Sequence, residues 1–285
     1  MYLGVIGGPA RRSLSPVFQQ AALDALQLPH RYEYWPTPPD GLATRVSGLR
    51  APAVLGANVT IPHKEAIIPL LDKLDPLAGQ IGAVNTVHNV RGVLHGYNTD
   101  AEGFLRGLRE DAGMDPAGKR AVVAGAGGAA RAVVVALLRA GAASVTIINR
   151  SFPRASRLVE DLSPLAGDRR LGALPDIYAS WAASAAGCDL LVNCTPAGSP
   201  GAQDGETPIP LDTISAGMLV YDLVYIPAET ALMAAARERG ARVIGGLPML
   251  IYQGAASLKI WTGRDAPADV MFAAARAALA GEQRS

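Results

Sequence analysis

Cysteine is nearly absent: only Cys188 and Cys194 occur in 285 residues. Both fall in or beside one predicted strand and have neither the spacing nor the partners of a metal or redox pair, so they read as buried reduced thiols. The four histidines, at 30, 63, 88 and 95, also lack metal-site spacing and read as ordinary surface or loop residues. Charge of one sign is lacking: 26 Lys and Arg stand against 25 Asp and Glu, for a net charge of +1. That balance excludes a general polyanion binder, and with it a nucleic-acid partner. No apolar run reaches the ~20 residues needed to cross a bilayer. Met1 leads straight into Tyr2-Leu3-Gly4-Val5-Ile6, a strand, with no basic region or cleavable apolar segment. The expectation is a soluble cytoplasmic protein with no membrane partner. Internal repeats and low-complexity tracts are missing too.

What is present is an α/β pattern long enough for two domains of ordinary size, with 49% hydrophobic residues to fill their cores. It is organised around residues 119–154. Ala121-Val122-Val123-Ala124 is a short apolar run of the kind buried in a parallel sheet. Gly125-Ala126-Gly127-Gly128-Ala129-Ala130 follows at once, with G-x-G at 125 and 127 and Ala130 in the place of the third glycine. Such glycines turn the chain sharply and let backbone N–H groups approach a pyrophosphate at a helix N-terminus. A helix with Gly141 as its C-cap and the strand Ser144-Val145-Thr146-Ile147-Ile148 complete the unit. Flanked by strand and helix, the glycine motif reads as a dinucleotide site. Asn149-Arg150-Ser151 and Arg154 come next. An NAD-preferring site carries a carboxylate in this region. Two guanidiniums instead suit a 2′-phosphate, through bidentate charge-assisted hydrogen bonds. The expected cofactor is NADP; the alternative is a solvated basic turn.

The first third alternates strands and helices without a nucleotide motif. After the strand at 2–6, Ser15 is placed to cap a helix with Pro16 at its first position. Ser13 and Ser15 also suit a small carboxylate at a helix start, although spacing alone favours turn and cap. Further strands are expected over 31–35 and 54–58, with a helix over 39–49. Asn58-Val59-Thr60-Ile61-Pro62-His63-Lys64 then places polar groups at a strand's C-terminal edge, where open α/β sheets bind ligands. Pro62 is expected to open a helix, on which Thr60 and Lys64 would share a face. A lysine over a pocket can donate or accept a proton; a surface lysine in a helical turn is the commoner case. Gly82-Ala83-Val84-Asn85-Thr86-Val87 and Val93-Leu94-His95-Gly96-Tyr97-Asn98-Thr99-Asp100 read as two short strands before a helix over 101–110. Asp100 is by default that helix's N-cap. Several strand ends bearing Asn, Thr, Ser, Asp or Lys nevertheless suggest a polar pocket built from loops on a rigid sheet.

Past Arg154 the pattern predicts a helix over 154–162, strands over 188–193 and 218–225, a helix over 228–239 and a strand over 242–244. This makes an α/β unit with a mainly parallel sheet. Residues 200–210 read as a surface loop. Gly245-Gly246-Leu247-Pro248 opens a long helix over 249–261 carrying Tyr252 and Gln253, and an alanine-rich helix follows over 267–281. Neither belongs to the sheet, and both are expected to pack against the first domain.

These segments resemble the shikimate dehydrogenase family, in family order from residue 2 to the C-terminal helices. The matching stretches are Ser13-Leu14-Ser15-Pro16, residues 58–64, Gly82-Ala83-Val84-Asn85-Thr86, Asn98-Thr99-Asp100 and the glycine turn at 125–129. To these are added Asn149-Arg150-Ser151 with Arg154, Asn193-Cys194-Thr195-Pro196, Asp222 with Tyr225, and residues 246–253. The resemblance implies two α/β domains around a cleft: a Rossmann-type NADP domain, 102–247, and a substrate-binding domain, 1–101 plus 248–285, completed by the C-terminal helices.

It also implies reversible NADPH-dependent reduction of 3-dehydroshikimate to shikimate, in chorismate and aromatic amino acid biosynthesis, by a monomer or homodimer acting on small molecules. Carried over by position, Ser13 and Ser15 hold the substrate carboxylate. Thr60, Asn85, Tyr225 and Gln253 bond the carboxylate or ring hydroxyls, and Lys64 and Asp100 flank the reacting oxygen. Gly125, Ala126, Gly127, Gly128, Ala129, Asn149, Arg150, Ser151 and Arg154 bind the cofactor, with Leu223 and Gly246 at the nicotinamide. Arg12 stands where many members have histidine, and Ser151 replaces the usual threonine. The rival readings are a quinate/shikimate or aminoshikimate dehydrogenase and, from another class, a non-catalytic NADP-binding sensor.

Overall fold

The computed structural model describes residues 1–9, 13–201 and 207–282; Arg12 and part of the predicted 200–210 loop lie outside the described residues. The chain divides into two units, Met1–Gly103 with Ile251–Ser285, and Phe104–Leu250.

The first unit begins β1 (Tyr2–Gly7), α1 (Ser15–Ala25), β2 (Arg31–Pro36), α2 (Leu42–Gly48) and β3 (Val54–Val59). Then come β4 (Lys73–Leu74), α3 (Pro76–Ile81), β5 (Thr86–Val90) and β6 (Val93–Tyr97). The strand order is β2-β1-β3-β5-β6-β4. β1 runs parallel to β2 and β3, whereas β5 is antiparallel to both β3 and β6. This mixed pattern positions the polar residues. Asn58 near the end of β3 pairs with Thr86 at the start of β5, and Thr86 pairs with Tyr97 at the end of β6. Residues 58–60, 85–86 and 97–100 therefore collect at one edge of the sheet. Beneath them Ile6, Val59, Val87 and Leu94 from the strands bury against Leu42, Val46 and Leu49.

Three local expectations are corrected here. Residues 82–85 are not a strand: Gly82, at φ +68°, ends α3, and pairing to β3 starts only at Thr86. Pro62 does not open a helix, because the backbone groups of 60–67 form turns and reach elsewhere. His63 N–H donates to the Thr60 carbonyl, and the Lys64 carbonyl accepts from Val84 N–H at 2.8 Å. Thr60 and Lys64 therefore do not share a helical face. Finally, Ser15 is the first residue of α1 and makes no side-chain cap; Ser13 Oγ accepts the Ser15 N–H instead, at 3.2 Å.

The chain enters the second unit through α4 (Asp100–Arg106), which continues as a π-helical turn over Gly107–Asp111. There follow β7 (Arg120–Ala124), α5 (Gly128–Arg139), β8 (Ser144–Asn149), α6 (Phe152–Ala166), β9 (Arg170–Pro175) and α7 (Tyr178–Ala185). β10 (Leu190–Asn193), β11 (Leu219–Asp222), α8 (Ala231–Glu238) and β12 (Arg242–Ile244) complete it. Every pairing is parallel, in the order β12-β11-β10-β7-β8-β9. This is the doubly wound arrangement, whose order reverses between β7 and β10, where such sheets bind nucleotides. Because helices cover the faces, β10 and β11 are apolar nearly throughout and fully buried.

Two helices close the chain, α9 (Leu247–Thr262) and α10 (Ala268–Glu282). From residue 251 they belong to the first unit. Gln19 of α1 donates to the Gly254 carbonyl at 2.9 Å, and Trp261 Nε1 donates to the Val87 carbonyl at 2.9 Å. A side chain at Gly254 would collide with the Phe18 ring, at 2.5 Å. Tyr252 meets Phe272 of α10 edge to face, with ring centres 5.4 Å apart.

Candidate active site

In the first unit, the strand ends bring Lys64, Asn85 and Asp100 together, and α9 adds Gln253. Lys64 Nζ donates to Asp100 Oδ2 at 2.5 Å, with side chains 14% and 4% exposed. Removing one partner of so enclosed a pair leaves an uncompensated charge, typically at a cost of about 3–5 kcal/mol. The other carboxylate oxygen, Oδ1, accepts from Asn85 Nδ2 at 2.9 Å. Asn85 Nδ2 also lies 3.2 Å from Gln253 Oε1, while Asn85 Oδ1 accepts the Thr99 N–H at 2.8 Å. Asp100 is not the cap of α4 but its first residue, and its N–H is held by Asn98 Oδ1 at 3.0 Å. The helix start thus aims the carboxylate at Lys64.

Thr60 stands half-buried just past β3, its N–H donating to the Ile6 carbonyl at 2.9 Å. Ser15 is buried, with its side chain beside the Tyr32 phenol. Burial pushes the Tyr32 phenol well above its ordinary value, and the Ser15 contact opposes that shift. Chemically, this group offers hydroxyls and amides for a small polyol acid and an ammonium–carboxylate pair for moving a proton at an oxygen.

The second unit holds the predicted cofactor residues. Gly125 adopts φ +109°, open to glycine, with its N–H on the Ile148 carbonyl at 2.9 Å. Gly127 is the N-cap of α5 and offers no side-chain cap, and a methyl group added there would meet no atom within 4 Å. The first amides of α5 are therefore uncapped beside open space, as a pyrophosphate requires. Asn149 Nδ2 donates to the Ser151 carbonyl at 2.9 Å, which folds the turn between β8 and α6. Arg150, Ser151 and Arg154 are exposed there. With no carboxylate in the turn, these donors fit a 2′-phosphate.

Leu223 and Gly246 meet through their backbones: Gly246 N–H donates to the Val224 carbonyl at 3.0 Å, and a Cβ on Gly246 would lie 2.1 Å from the Leu223 oxygen. Only glycine permits that approach. Tyr225, the remaining predicted substrate contact, is half-buried in the same unit, just past β11.

Sequence reasoning quoted Asp222 without giving it a role. Its carboxylate is fully buried and accepts from Asn193 Nδ2 (2.8 Å), Val224 N–H (3.1 Å) and Thr230 Oγ1 (2.6 Å). Burial raises its pKa above the usual carboxylate value, and these three donors counter the shift. It ties β10, the Leu223 turn and the start of α8 into one piece. Among the described residues no cluster of three or more potential metal-ligating side chains occurs, and no helix is long and apolar enough to cross a membrane.

Residues 5–87 match the family described as shikimate dehydrogenase substrate binding domain, 109–199 shikimate / quinate 5-dehydrogenase, and 246–276 shikimate 5'-dehydrogenase C-terminal domain. The shikimate dehydrogenase (NADP(+)) of Moorella thermoacetica is 48% identical over 282 residues, covering 97% of this chain and 93% of that protein. That of Geobacter metallireducens is 47% identical, covering 97% and 96%. Among solved structures, shikimate 5-dehydrogenase from Thermus thermophilus in complex with NADP(H) and shikimate is 40% identical, with a TM-score of 0.86 and coverage of 98% and 100%. A lysine–carboxylate pair at one sheet edge, a doubly wound glycine-turn unit and relatives matching nearly end to end lead to one conclusion: the chain belongs to the shikimate dehydrogenase family.

Proposed function

We propose that this protein catalyses the NADP-linked interconversion of 3-dehydroshikimate and shikimate, within aromatic amino acid biosynthesis. The single observation that carries the reading is the enclosed Lys64–Asp100 pair, held by Asn85. In this reading the first unit takes the substrate and the second takes NADP. Ser13 and Ser15 hold the carboxylate, while Thr60, Asn85, Tyr225 and Gln253 bond the carboxylate or ring hydroxyls.

When bound, the nicotinamide cofactor supplies the hydride that reaches the ketone carbon. Lys64 hydrogen-bonds the ketone oxygen and gives it a proton, so that C=O becomes CH–OH; in oxidation the same lysine takes that proton back. Asp100 orients the hydroxyl and balances the ammonium. Gly127, Gly128 and Ala129 bind the pyrophosphate through backbone N–H groups, and Asn149, Arg150, Ser151 and Arg154 the 2′-phosphate. Gly125 and Ala126 shape the turn, and Leu223 and Gly246 border the nicotinamide. The partners are small molecules, and the protein works in the cytoplasm as a monomer or homodimer.

The test is an assay of shikimate, quinate and aminoshikimate with NADP⁺ and NAD⁺. Shikimate with NADP⁺ should give the highest kcat/KM. Preference for quinate or aminoshikimate would move the protein to a sister activity. NADPH binding without turnover of any of them would make it a sensor.

A further inference from the structure

The polar atoms at the sheet edge do not stop at Asn85 and Asp100. They continue inward as a connected set of buried side chains. Ser257 of α9 is fully buried, and its hydroxyl lies among four partners. It donates to the Gln253 carbonyl (2.9 Å), accepts from Asn58 Nδ2 (3.0 Å), and lies 2.7 Å from Thr86 Oγ1 and 3.1 Å from Thr99 Oγ1. Thr86 and Thr99 both contact the Asn85 amide, which in turn holds Asp100. On the other side Asn58 Oδ1 accepts from the Tyr32 hydroxyl at 2.6 Å, and Tyr32 stands beside Ser15. One hydrogen-bonded path thus joins the serine assigned to the substrate carboxylate with the pair assigned to the reacting oxygen.

We infer that Ser257, Asn58 and Tyr32 are positioning residues, which fix the distance between the carboxylate-holding and proton-transferring ends of the site. The inference rests on the function proposed above. None of the three needs to touch substrate. The reason for building the link from polar groups is geometric: hydrogen bonds between fully buried partners have narrow distances and angles, whereas apolar contacts slide. Ser257 sits one helical turn beyond Gln253, so the same helix face delivers a site residue and the hub that locates it. An Asn85 amide free to rotate would release Asp100, and with it the direction in which Lys64 points.

The two ends should fail differently. Ser257→Ala and Ser257→Cys remove the hub beside Asn85, and kcat should drop roughly 10- to 100-fold, the scale of a small misplacement of reacting groups. The KM for NADP⁺ should stay unchanged. Tyr32→Phe keeps the ring and removes the link to Ser15, so the KM for shikimate should rise about tenfold, as expected for one lost hydrogen bond, with kcat nearly intact. Cysteine keeps nearly the volume of serine, so this variant remains informative if the alanine variant does not fold. All are measured with thermal melts against the parent protein, using shikimate and NADP⁺. A parent inert toward shikimate overturns the functional reading and this inference together. An active parent whose variants keep kcat and shikimate KM within about twofold overturns the inference alone. So does a kcat loss in the cysteine variant matched by equal losses in melting temperature and NADP⁺ affinity, since that is general loosening.

Discussion

Lys64 and Asp100, thirty-six positions apart, meet at 2.5 Å because β3 and β6 end at the same edge of one sheet. The pair joins a turn to the first residue of a helix. The proton-transfer role proposed for it gives the first prediction. Lys64→Ala should lower kcat by about 10²–10⁴-fold, the usual cost of losing a proton-transfer group, with substrate KM nearly normal. Steady-state kinetics checks it; intact turnover with a large rise in KM would refute the acid–base role.

Arg150 is exposed beside the turn that follows β8. If it binds the 2′-phosphate, Arg150→Ala removes charge-assisted hydrogen bonds worth about 1.5–3 kcal/mol. The NADPH Kd should rise roughly 10- to 100-fold, while NADH binding stays as it was. Fluorescence titration with both nucleotides decides it: equal losses for the two, or no loss, count against the assignment.

Asp222 carries a pH signature. Its folded pKa is raised by burial, so the unfolded chain releases this proton first as pH rises. The stability it contributes is present below the ordinary carboxylate pKa and is lost as pH rises through the folded value. Asp222→Asn retains an oxygen for Asn193 and Val224 and presents an amide to Thr230. The stability of the variant relative to the parent should therefore grow with pH from the ordinary carboxylate range upward, then level off above the folded pKa. Chemical denaturation at stepped pH measures this difference; a constant one would show that Asp222 does not titrate in that interval.

Two glycines should separate folding from binding. A Cβ at Gly246 would lie 2.1 Å from the Leu223 oxygen, whereas one at Gly127 meets nothing within 4 Å. Gly246→Ala should destabilise the protein by about 1–3 kcal/mol, as overpacking does. Gly127→Ala should stay within about 1 kcal/mol of the parent yet weaken NADPH binding, because the space it fills is the one assigned to the pyrophosphate. Urea melts and nucleotide titrations on both variants give the comparison.

The second unit was largely legible in the sequence, since β7, the glycine turn, α5 and β8 are local and follow one another. β9 and α7 were missed for a definable reason. β9 is half-buried along nearly its whole length, so it carries neither a buried apolar run nor an alternating face. In the first unit, the polar strand ends suggested a pocket, and the family resemblance singled out Lys64, Asn85 and Asp100 within it. What held them was hidden. Whether 60–67 becomes a helix depends on Val84 claiming the Lys64 carbonyl, a contact made across the fold. Ser257 looks like an incidental hydroxyl on an apolar helix until β3, β5 and α9 are placed together. Only its spacing of four from Gln253 hinted at a shared face.

The first unit is assembled from two separate stretches of chain, and the second from one. On the ribosome, the nucleotide-binding half is thus complete while its neighbour still lacks Gln253, Ser257 and Trp261. Until those residues emerge, Asn58, Thr86 and the Val87 carbonyl have no partner from α9. Nascent chains that have released residues up to 250 but not beyond should carry a folded dinucleotide unit and a first sheet still without its two closing helices, an order of maturation opposite to the order of synthesis.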